Sequence, residues 1–340
     1  MKKTFAIALA AASLAALSSS AFAQSTRDQI RIVGSSTVYP FSTVVAENFG
    51  KMGKFKAPVV ESVGTGGGFK LFCAGVGPQH PDIANASRPV TDSEREACKA
   101  NGITSFTEVT FGYDGITLAR QAQQAPMAVT EKQLWLALAK QVPVNGKLVD
   151  NPYNNWSDVD PSLPKTPILV FGPAPNHGTR DAFVELVMDS VGATIPEIKA
   201  LPKDQQKAAI ETVRDDGSWV DVSEDYALIV GKLASNPDAV GLFTFSYLDQ
   251  NPDKIRGLTV DGVMPTFDNI ASKKYPLSRP LFFYVKDQHV KVVPGIREYV
   301  TEFLSDKAAG ADGYLVSKGL IPLTKDELTK QRAAAEKAGL

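Results

Sequence analysis

Short runs of β-branched and other apolar residues alternate along the chain with longer stretches in which apolar residues recur every three to four positions. The clearest short runs are residues 31–33, 58–63 and 168–171. Each ends in a turn rich in glycine, serine or threonine, and a helical pattern follows, as with Phe183, Leu186 and Val187 after the third run. This alternation predicts an α/β fold with largely parallel sheets, in which a strand leads through a turn into a helix.

Other stretches carry structural signals alone. Capping boxes predict helix starts at residues 91–94, 130–133 and 324–327. An apolar face at helical spacing follows Pro294 and predicts a helix packed on a sheet; its members are Ile296, Tyr299, Val300, Phe303 and Leu304. Residues 145–167 are rich in proline, asparagine and aspartate, and they predict a long surface loop anchored by Trp156.

Residues 1–23 have the pattern of a signal peptide. Lys2 and Lys3 precede an apolar run over 5–17, and the triplet AFA ending at Ala23 matches a small-x-small cleavage site. The run is too short for a membrane anchor, and no later stretch reaches about twenty apolar residues. We therefore expect cleavage after Ala23 and a soluble, monomeric protein in the periplasm, without direct membrane insertion.

Length and charge narrow the picture further. A mature chain of about 317 residues exceeds the size at which one core keeps growing, so two lobes are expected. Loss of two signal lysines from the 36 Lys and Arg leaves 34 against 37 Asp and Glu, with no basic block. This balance does not favour nucleic acid or an anionic membrane surface as a partner. An anionic ligand would have to be held by local dipoles and a few placed cations.

The chain has two cysteines, Cys73 and Cys98. In an exported protein an even pair predicts a disulfide, which would tie the helix after the second strand to the next helix; two buried thiols are the alternative. The chain has three histidines, no HExxH motif and no CxxC motif. The sequence therefore supports no metal site and no cofactor.

Four turns offer donors for an anion. A helix N-terminus presents unpaired N–H groups, glycine allows close approach, and hydroxyls and guanidinium groups add donors. The candidate ligands are Ser36, Thr37, Val38, Thr65, Gly66, Ser87, Arg88, Gly178, Thr179 and Arg180. Each turn alone is also explained as a helix cap. Likewise, Arg88 could pair with Glu94, and Arg180 with Asp181 or Glu185.

The same turns resemble the phosphate-binding proteins of the Pst-type ABC importer. The matching segments are 34–41 (GSSTVYPF), 63–69 (VGTGGGF), 82–89 (DIANASRP), 178–183 (GTRDAF) and 314–323 (YLVSKGLIPL). The resemblance implies a type II periplasmic binding protein, with two α/β lobes joined by two crossovers. Phosphate would be bound between the lobes and delivered to a membrane permease. By the resemblance, one lobe comprises residues 24–117 and 277–340, and the other residues 118–276.

The sequence departs from the family at two points. His177 stands where the family often has serine; it could add a pH-dependent donor or be a histidine at the cleft edge. The family's third-loop aspartate and an arginine before the Gly-Thr pair are replaced by Ser87 and Pro173. Arg88 and Arg180 are the alternative cations. Asp114, within 111–115, is our candidate acceptor for the phosphate proton, and a turn-forming role is the alternative.

An enzyme is the rival class, and the motifs do not favour it. Residues 34–38 (GSSTV) lack the second glycine of a nucleophile elbow, and residues 64–70 (GTGGGFK) form neither a P-loop nor a complete dinucleotide fingerprint. No carboxylate and histidine cluster suggests a two-metal phosphatase. Another oxyanion, such as sulfate, molybdate or an organic phosphate, remains open from the residues alone.

Overall fold

The computed structural model describes residues 27–175, 177–222 and 225–340, so the predicted signal peptide lies outside the described residues. The strands are β1 (Arg31–Gly34), β2 (Val59–Ser62), β3 (Ile83–Ala86), β4 (Phe106–Gln121), β5 (Ala128–Val129), β6 (Gln141–Val144), β7 (Lys147–Asp150), β8 (Val170–Gly172), β9 (Trp219–Asp221), β10 (Val240–Thr244), β11 (Ile255–Gly257), β12 (Thr259–Val260), β13 (Ser278–Lys286) and β14 (Ile321–Pro322). The mixed α/β prediction is confirmed.

Helices flank these strands. They are α1 (Tyr39–Lys51), α2 (Thr65–Phe72), α3 (Asp92–Ala100), α4 (Glu131–Leu138), α5 (Trp156–Val159), α6 (Gly178–Phe183), a π-helical turn (Val184–Asp189), α7 (Ser190–Gly192), α8 (Pro196–Lys199), α9 (Lys203–Glu211), α10 (Tyr226–Ser235), α11 (Phe245–Gln250), α12 (Phe267–Ala271), α13 (Ile296–Phe303), α14 (Asp306–Ala309) and α15 (Lys325–Lys337), with 3-10 turns at Asp287–His289 and Val316–Lys318. Over the described part of the chain, no helix combines the length and apolar character needed to span a bilayer.

One large sheet runs through both lobes in the order β2-β1-β3-β13-β4-β10-β8-β9, with β11 and β14 also paired to β4. Strand β4 joins the halves, since residues 106–115 pair with β13 whereas residues 116–121 pair with β10 and β11. The prediction of parallel pairing is right for β1, β2 and β3 and for β8, β9 and β10. It is wrong at the centre, where β13 and β10 are antiparallel to β4. Because the chain crosses to the second lobe along β4 and returns to the first along β13, these two strands run in opposite directions at the junction.

The predicted scaffold helices have the expected cores. Helix α13 buries Ile296, Tyr299, Val300 and Phe303, and Leu304 is also buried at its end. Burial of each such side chain stabilises the fold by about 2 kcal/mol. The predicted capping boxes are all formed, at the starts of α3, α4 and α15.

The predicted loop over residues 145–167 is wrong in its first part. Strands β6 and β7 form an antiparallel hairpin across Asn145 and Gly146, whose φ angles are 52° and 76°. Two positive φ angles in a two-residue connection are what an Asn-Gly pair supplies most readily. The anchoring prediction for Trp156 is confirmed, because its side chain is fully buried at the start of α5.

The predicted disulfide is present. The sulfur atoms of Cys73 and Cys98 are bonded, and they link the C-terminal end of α2 to α3 as predicted. In the chain-entropy description, closure of a loop of this length stabilises the fold by roughly 3–4 kcal/mol. The bond therefore fixes the helix whose first turn is one of the candidate anion-binding turns.

Candidate functional site

The candidate turns of the first lobe lie at one edge of the sheet. Strands β1, β2 and β3 are parallel, so the turns after their carboxyl ends come together. The hydroxyl oxygens of Thr65 and Ser87 are 3.0 Å apart, and the Ser87 N–H donates to Thr65 Oγ1 at 3.2 Å. Both side chains are buried. Two of the predicted ligands are thus brought into direct contact.

Glycine makes this close packing possible. A Cβ added to Gly34, where φ is 137°, would lie 2.1 Å from the Asn85 carbonyl oxygen. A Cβ on Gly68 would lie 2.5 Å from the Cα atom of Gly34. Any larger residue would separate the first turn of α2 from the ends of β1 and β3.

The turn of the second lobe faces the first lobe. A Cβ added to Gly178 would lie 3.8 Å from the Thr37 Cα atom and 4.0 Å from the Ser36 carbonyl oxygen. Thr37 and Val38 are buried, whereas Ser36 is partly exposed. The Val38 N–H donates to Ser35 Oγ at 3.4 Å, within the first turn. The turns from the two lobes are therefore close enough to contact one small ligand.

Two neighbouring cavities open along this junction. The larger, about 730 Å³, is lined by Thr37, Asp114, His177, Gly178 and Thr179 among others. The smaller, about 510 Å³, is lined by Thr65, Gly66, Ser87, Arg88, Glu185 and Arg279 among others. The predicted ligands are thus divided between the two cavities, except Ser36, Val38 and Arg180, which line neither of them.

Arg279 lines the smaller cavity and contacts two residues that line the larger one, and the sequence analysis does not predict it. Its Nη2 donates to Thr37 Oγ1 at 3.0 Å and lies 3.5 Å from Asp114 Oδ2. Its Nη1 forms an ion pair with Glu185 of the second lobe. The guanidinium is nine-tenths buried at the start of β13. A lone arginine at the start of an apolar strand, beside the predicted second crossover, was the available signal.

Asp114 is held opposite Arg279 by strand pairing. The two residues are register partners in β4 and β13, so the turn-forming alternative for Asp114 is wrong: the residue lies within a paired strand. Burial raises the pKa of the Asp114 carboxyl above its usual range, although Arg279 opposes this shift. Its buried Oδ2 atom lies 3.5 Å from Arg279 Nη2 and forms no shorter hydrogen bond with the described residues. Asp114 therefore presents a carboxyl oxygen that a protonated ligand could reach.

The turn of the second lobe is organised by its own side chains. His177 Nδ1 accepts a hydrogen bond from the Thr179 N–H at 3.1 Å and caps α6. Thr179 Oγ1 lies 2.5 Å from the Tyr226 hydroxyl, and burial raises the pKa of Tyr226 to about 12. The phenol therefore remains protonated near neutral pH and can donate. The Thr179 amide, a predicted ligand, already has a partner in this structure.

The two predicted arginines have partners of their own. Arg88 forms two hydrogen bonds with Glu94, at 2.8 and 2.9 Å, which was the alternative interpretation; this pairing raises the pKa of Arg88. Arg180 pairs with neither predicted partner. Its guanidinium lies 4.2 Å from the Trp219 ring and 3.5 Å from Asp221. Burial lowers the pKa of Arg180.

The chemistry that this arrangement offers is anion recognition. The Arg279 guanidinium donates to the Thr37 hydroxyl, and Thr65 and Ser87 line the same cavity as Arg279. The first turns of α2 and α6 contribute Thr65 and Gly66 to that cavity and Gly178 and Thr179 to the neighbouring one. Over the described ranges, no group of three or more histidine, cysteine, aspartate or glutamate side chains is placed to hold a metal ion.

Comparisons with known proteins agree with this architecture. The PBP superfamily domain matches residues 19–307. The chain is 32% identical to protein SphX of Synechococcus elongatus, over 96% of this chain and 88% of that protein. It is 30% identical to the phosphate-binding protein PstS of Staphylococcus epidermidis, over 89% and 85% of the two chains. The crystal structure of a possible phosphate-binding protein from Planctomyces limnophilus matches with a TM-score of 0.73 and 28% identity, covering 91% of this chain and 98% of that one.

Proposed function

This chain belongs to the PBP superfamily, in the family of the phosphate-binding protein PstS, and on that basis we propose that it binds inorganic phosphate and delivers it to the permease of an ABC importer. The binding site is the junction between its lobes. The first lobe comprises residues 24–117 and 277–340, and the second comprises residues 118–276. The protein acts in the periplasm as a monomer after removal of residues 1–23.

One observation carries the proposal: Arg279 is buried among hydroxyl groups that come from separate turns. Its guanidinium donates to Thr37, and Thr65 and Ser87 line the same smaller cavity. A tetrahedral oxyanion needs many directed donors, and a planar guanidinium can bind two of its oxygens at once. The low exposure of these groups strengthens each interaction with the anion.

The proposed contacts follow from the positions of the donors. Side-chain hydroxyls come from Thr37, Thr65, Ser87 and Thr179, and backbone amides from Gly66, Gly178 and Thr179. Ser36 and Val38 line neither cavity, and they are proposed as ligands from the sequence of the first turn alone. Arg279 supplies the central cation. Arg88 and Arg180 are outer cations, because Glu94 and Asp221 already neutralise them. Asp114 accepts the phosphate proton, and His177 controls the availability of the Thr179 amide.

Calorimetric titration of the ligand-stripped protein tests this function. We expect phosphate to bind tightly, arsenate to bind because it has the same shape and proton count, and sulfate to bind far more weakly. Sulfate or molybdate binding tighter than phosphate would instead identify this chain as a receptor for another oxyanion. Absence of heat with all four anions would contradict the proposal.

A secreted phosphatase is the second candidate, because the same donors could stabilise a phosphoryl group. The described residues lack a metal-holding cluster, and none of the described histidines hydrogen-bonds to the hydroxyl of Thr37, Thr65 or Ser87 as a base would. Incubation with a chromogenic phosphate ester separates the classes. Release of the chromophore at a rate proportional to protein concentration would favour the enzyme.

A further inference from the structure

Arg279 faces two carboxylates in a cleft proposed to take an anion. Asp114 approaches Nη2 from β4, and Glu185 contacts Nη1 from the π-helical turn of the other lobe. If both are ionised, the group of three carries a net negative charge. If burial leaves Asp114 protonated, Glu185 alone still neutralises the arginine. In either case phosphate meets no net positive charge until a carboxylate leaves.

Glu185 is the carboxylate that can leave. Asp114 is fixed in the middle of a paired strand, and its side chain is only 8% exposed. Glu185 has a side chain that is 36% exposed and one rotatable bond longer, and it lies at the edge of the smaller cavity. Rotation of its side chain toward solvent would release Arg279 without disturbing the sheet.

The second contact of Glu185 is equally informative. Ser87 Oγ donates to Glu185 Oε2 at 3.1 Å. Ser87 follows β3 in the first lobe, whereas Glu185 belongs to the second. One carboxylate thus uses both a hydroxyl and the guanidinium that we assign to phosphate, and it connects the two lobes while doing so.

We propose that Glu185 is an internal anion: it holds Ser87 and Arg279 while the cleft is empty, and phosphate displaces it. This inference rests on the proposed function. Two anions cannot accept from the same donors, so part of the phosphate binding energy is used to break the contacts of Glu185. The protein therefore binds phosphate more weakly than its donors alone would allow, and Glu185 assists release by taking the donors back.

Calorimetry on three variants tests the displacement. In Glu185→Gln and Glu185→Ala the phosphate Kd should fall about tenfold, because no charged competitor remains. Glu197→Gln removes the same charge from α8 of the second lobe, away from both cavities, and should leave the Kd unchanged. Unchanged or weaker binding in both Glu185 variants overturns the inference, while the wild type still binds phosphate and the proposed function stands.

A wild-type protein that binds no phosphate would overturn the function and this inference together. Weaker binding combined with lost discrimination against sulfate would mean that Glu185 accepts the phosphate proton and stays in the site, which also overturns displacement.

A second measurement, the radius of gyration from small-angle scattering, is independent of affinity. Without ligand, Glu185→Ala should have a larger radius of gyration than the wild type, since the bridge to Ser87 and Arg279 is lost. Equal radii without ligand would contradict the bridge.

Discussion

Arg279 contacts three chain segments that are distant in the sequence. Its guanidinium contacts Thr37 after β1, Asp114 within β4 and Glu185 in the other lobe. The sequence predicted the hydroxyl turns because each is a local pattern of glycine, serine and threonine behind a strand. It did not predict Arg279, because the role of this residue depends on its cross-strand pairing with Asp114, and no local pattern encodes a pairing between such distant strands.

Substitution of Arg279 by lysine should weaken phosphate binding about 100-fold. Lysine keeps the charge, but its three N–H donors radiate from one nitrogen and lack the planar fork of a guanidinium. It therefore cannot donate side by side to Thr37 and to a ligand oxygen as Arg279 can. The expected loss, roughly 2–3 kcal/mol, is that of a charge-assisted hydrogen bond. Calorimetry measures it, and Arg297→Lys on α13, outside both cavities, is the matched control. Equal affinities for Arg279→Lys and the control would remove Arg279 from the site.

Asp114→Asn should narrow the gap between phosphate and sulfate affinities. Hydrogen phosphate carries a proton that a buried carboxylate can accept, whereas sulfate would leave the same oxygen unpaired against another negative charge. The amide keeps the shape and removes the repulsion, so sulfate should bind more tightly and phosphate more weakly. Titration of each anion at one pH checks this. If both affinities match the wild type, Asp114 has no part in selectivity and serves only as the strand and ion-pair partner of Arg279.

At the scale of elements, the pattern predicted what depends on periodicity and local caps. The face of α13, the capping boxes and the strand-turn-helix order are all present. The composition of residues 145–167 does not predict the hairpin of β6 and β7, because only the Asn145-Gly146 pair signals its tight turn. The π-helical turn at Val184–Asp189 was also missed, and no sequence signal for it was recognised.

Asp189, the last residue of that π-helical turn, lowers the stability of the fold when its carboxyl is ionised. Burial, with repulsion from Glu211 and Glu185, raises the pKa of Asp189 to about 6. Because the pKa of Asp189 is higher in the folded protein than its value near 4 in the unfolded chain, protonation of the carboxyl stabilises the fold. This stabilisation is fully present below about pH 4 and is lost as the pH rises through about 6. Because the side chain is partly exposed, solvent screening limits the effect to about 1 kcal/mol.

Asp189→Asn should therefore melt roughly 2 °C above the wild type at pH 7.5. At pH 4 the two proteins should melt together, because the wild-type carboxyl is then protonated. Circular dichroism melts at the two values measure the difference. Asp204→Asn, an exposed carboxylate of α9, should show no such pH-dependent gap. An equal gain at both pH values would mean that packing, and not ionisation, is responsible.

At the scale of the whole molecule, the two-lobe arrangement was predictable because chain length requires more than one core and the motifs follow the family order. Its centre was not, because strand direction at a crossover depends on how the chain returns and not on residue type. Strand β4 pairs with β13 in one half and with β10 in the other, so it is the mechanical connection between the lobes. The lobe boundaries at 117/118 and 276/277 remain predictions.

This connection leads to the last prediction, which concerns closure. Donors from both lobes reach one ligand only when the cleft is shut. The contacts of Glu185 bridge the lobes in part of the empty population, so phosphate should shift the rest of it toward the compact form. Small-angle scattering should show the radius of gyration fall on addition of phosphate, by an amount that saturates at one equivalent, while sulfate at equal ionic strength leaves it unchanged. Arg279→Lys provides the internal control, because it should need more phosphate for the same contraction. A radius that does not change with saturating phosphate would mean that the lobes are already closed without ligand, and that affinity is set by exchange of anions within a closed cleft.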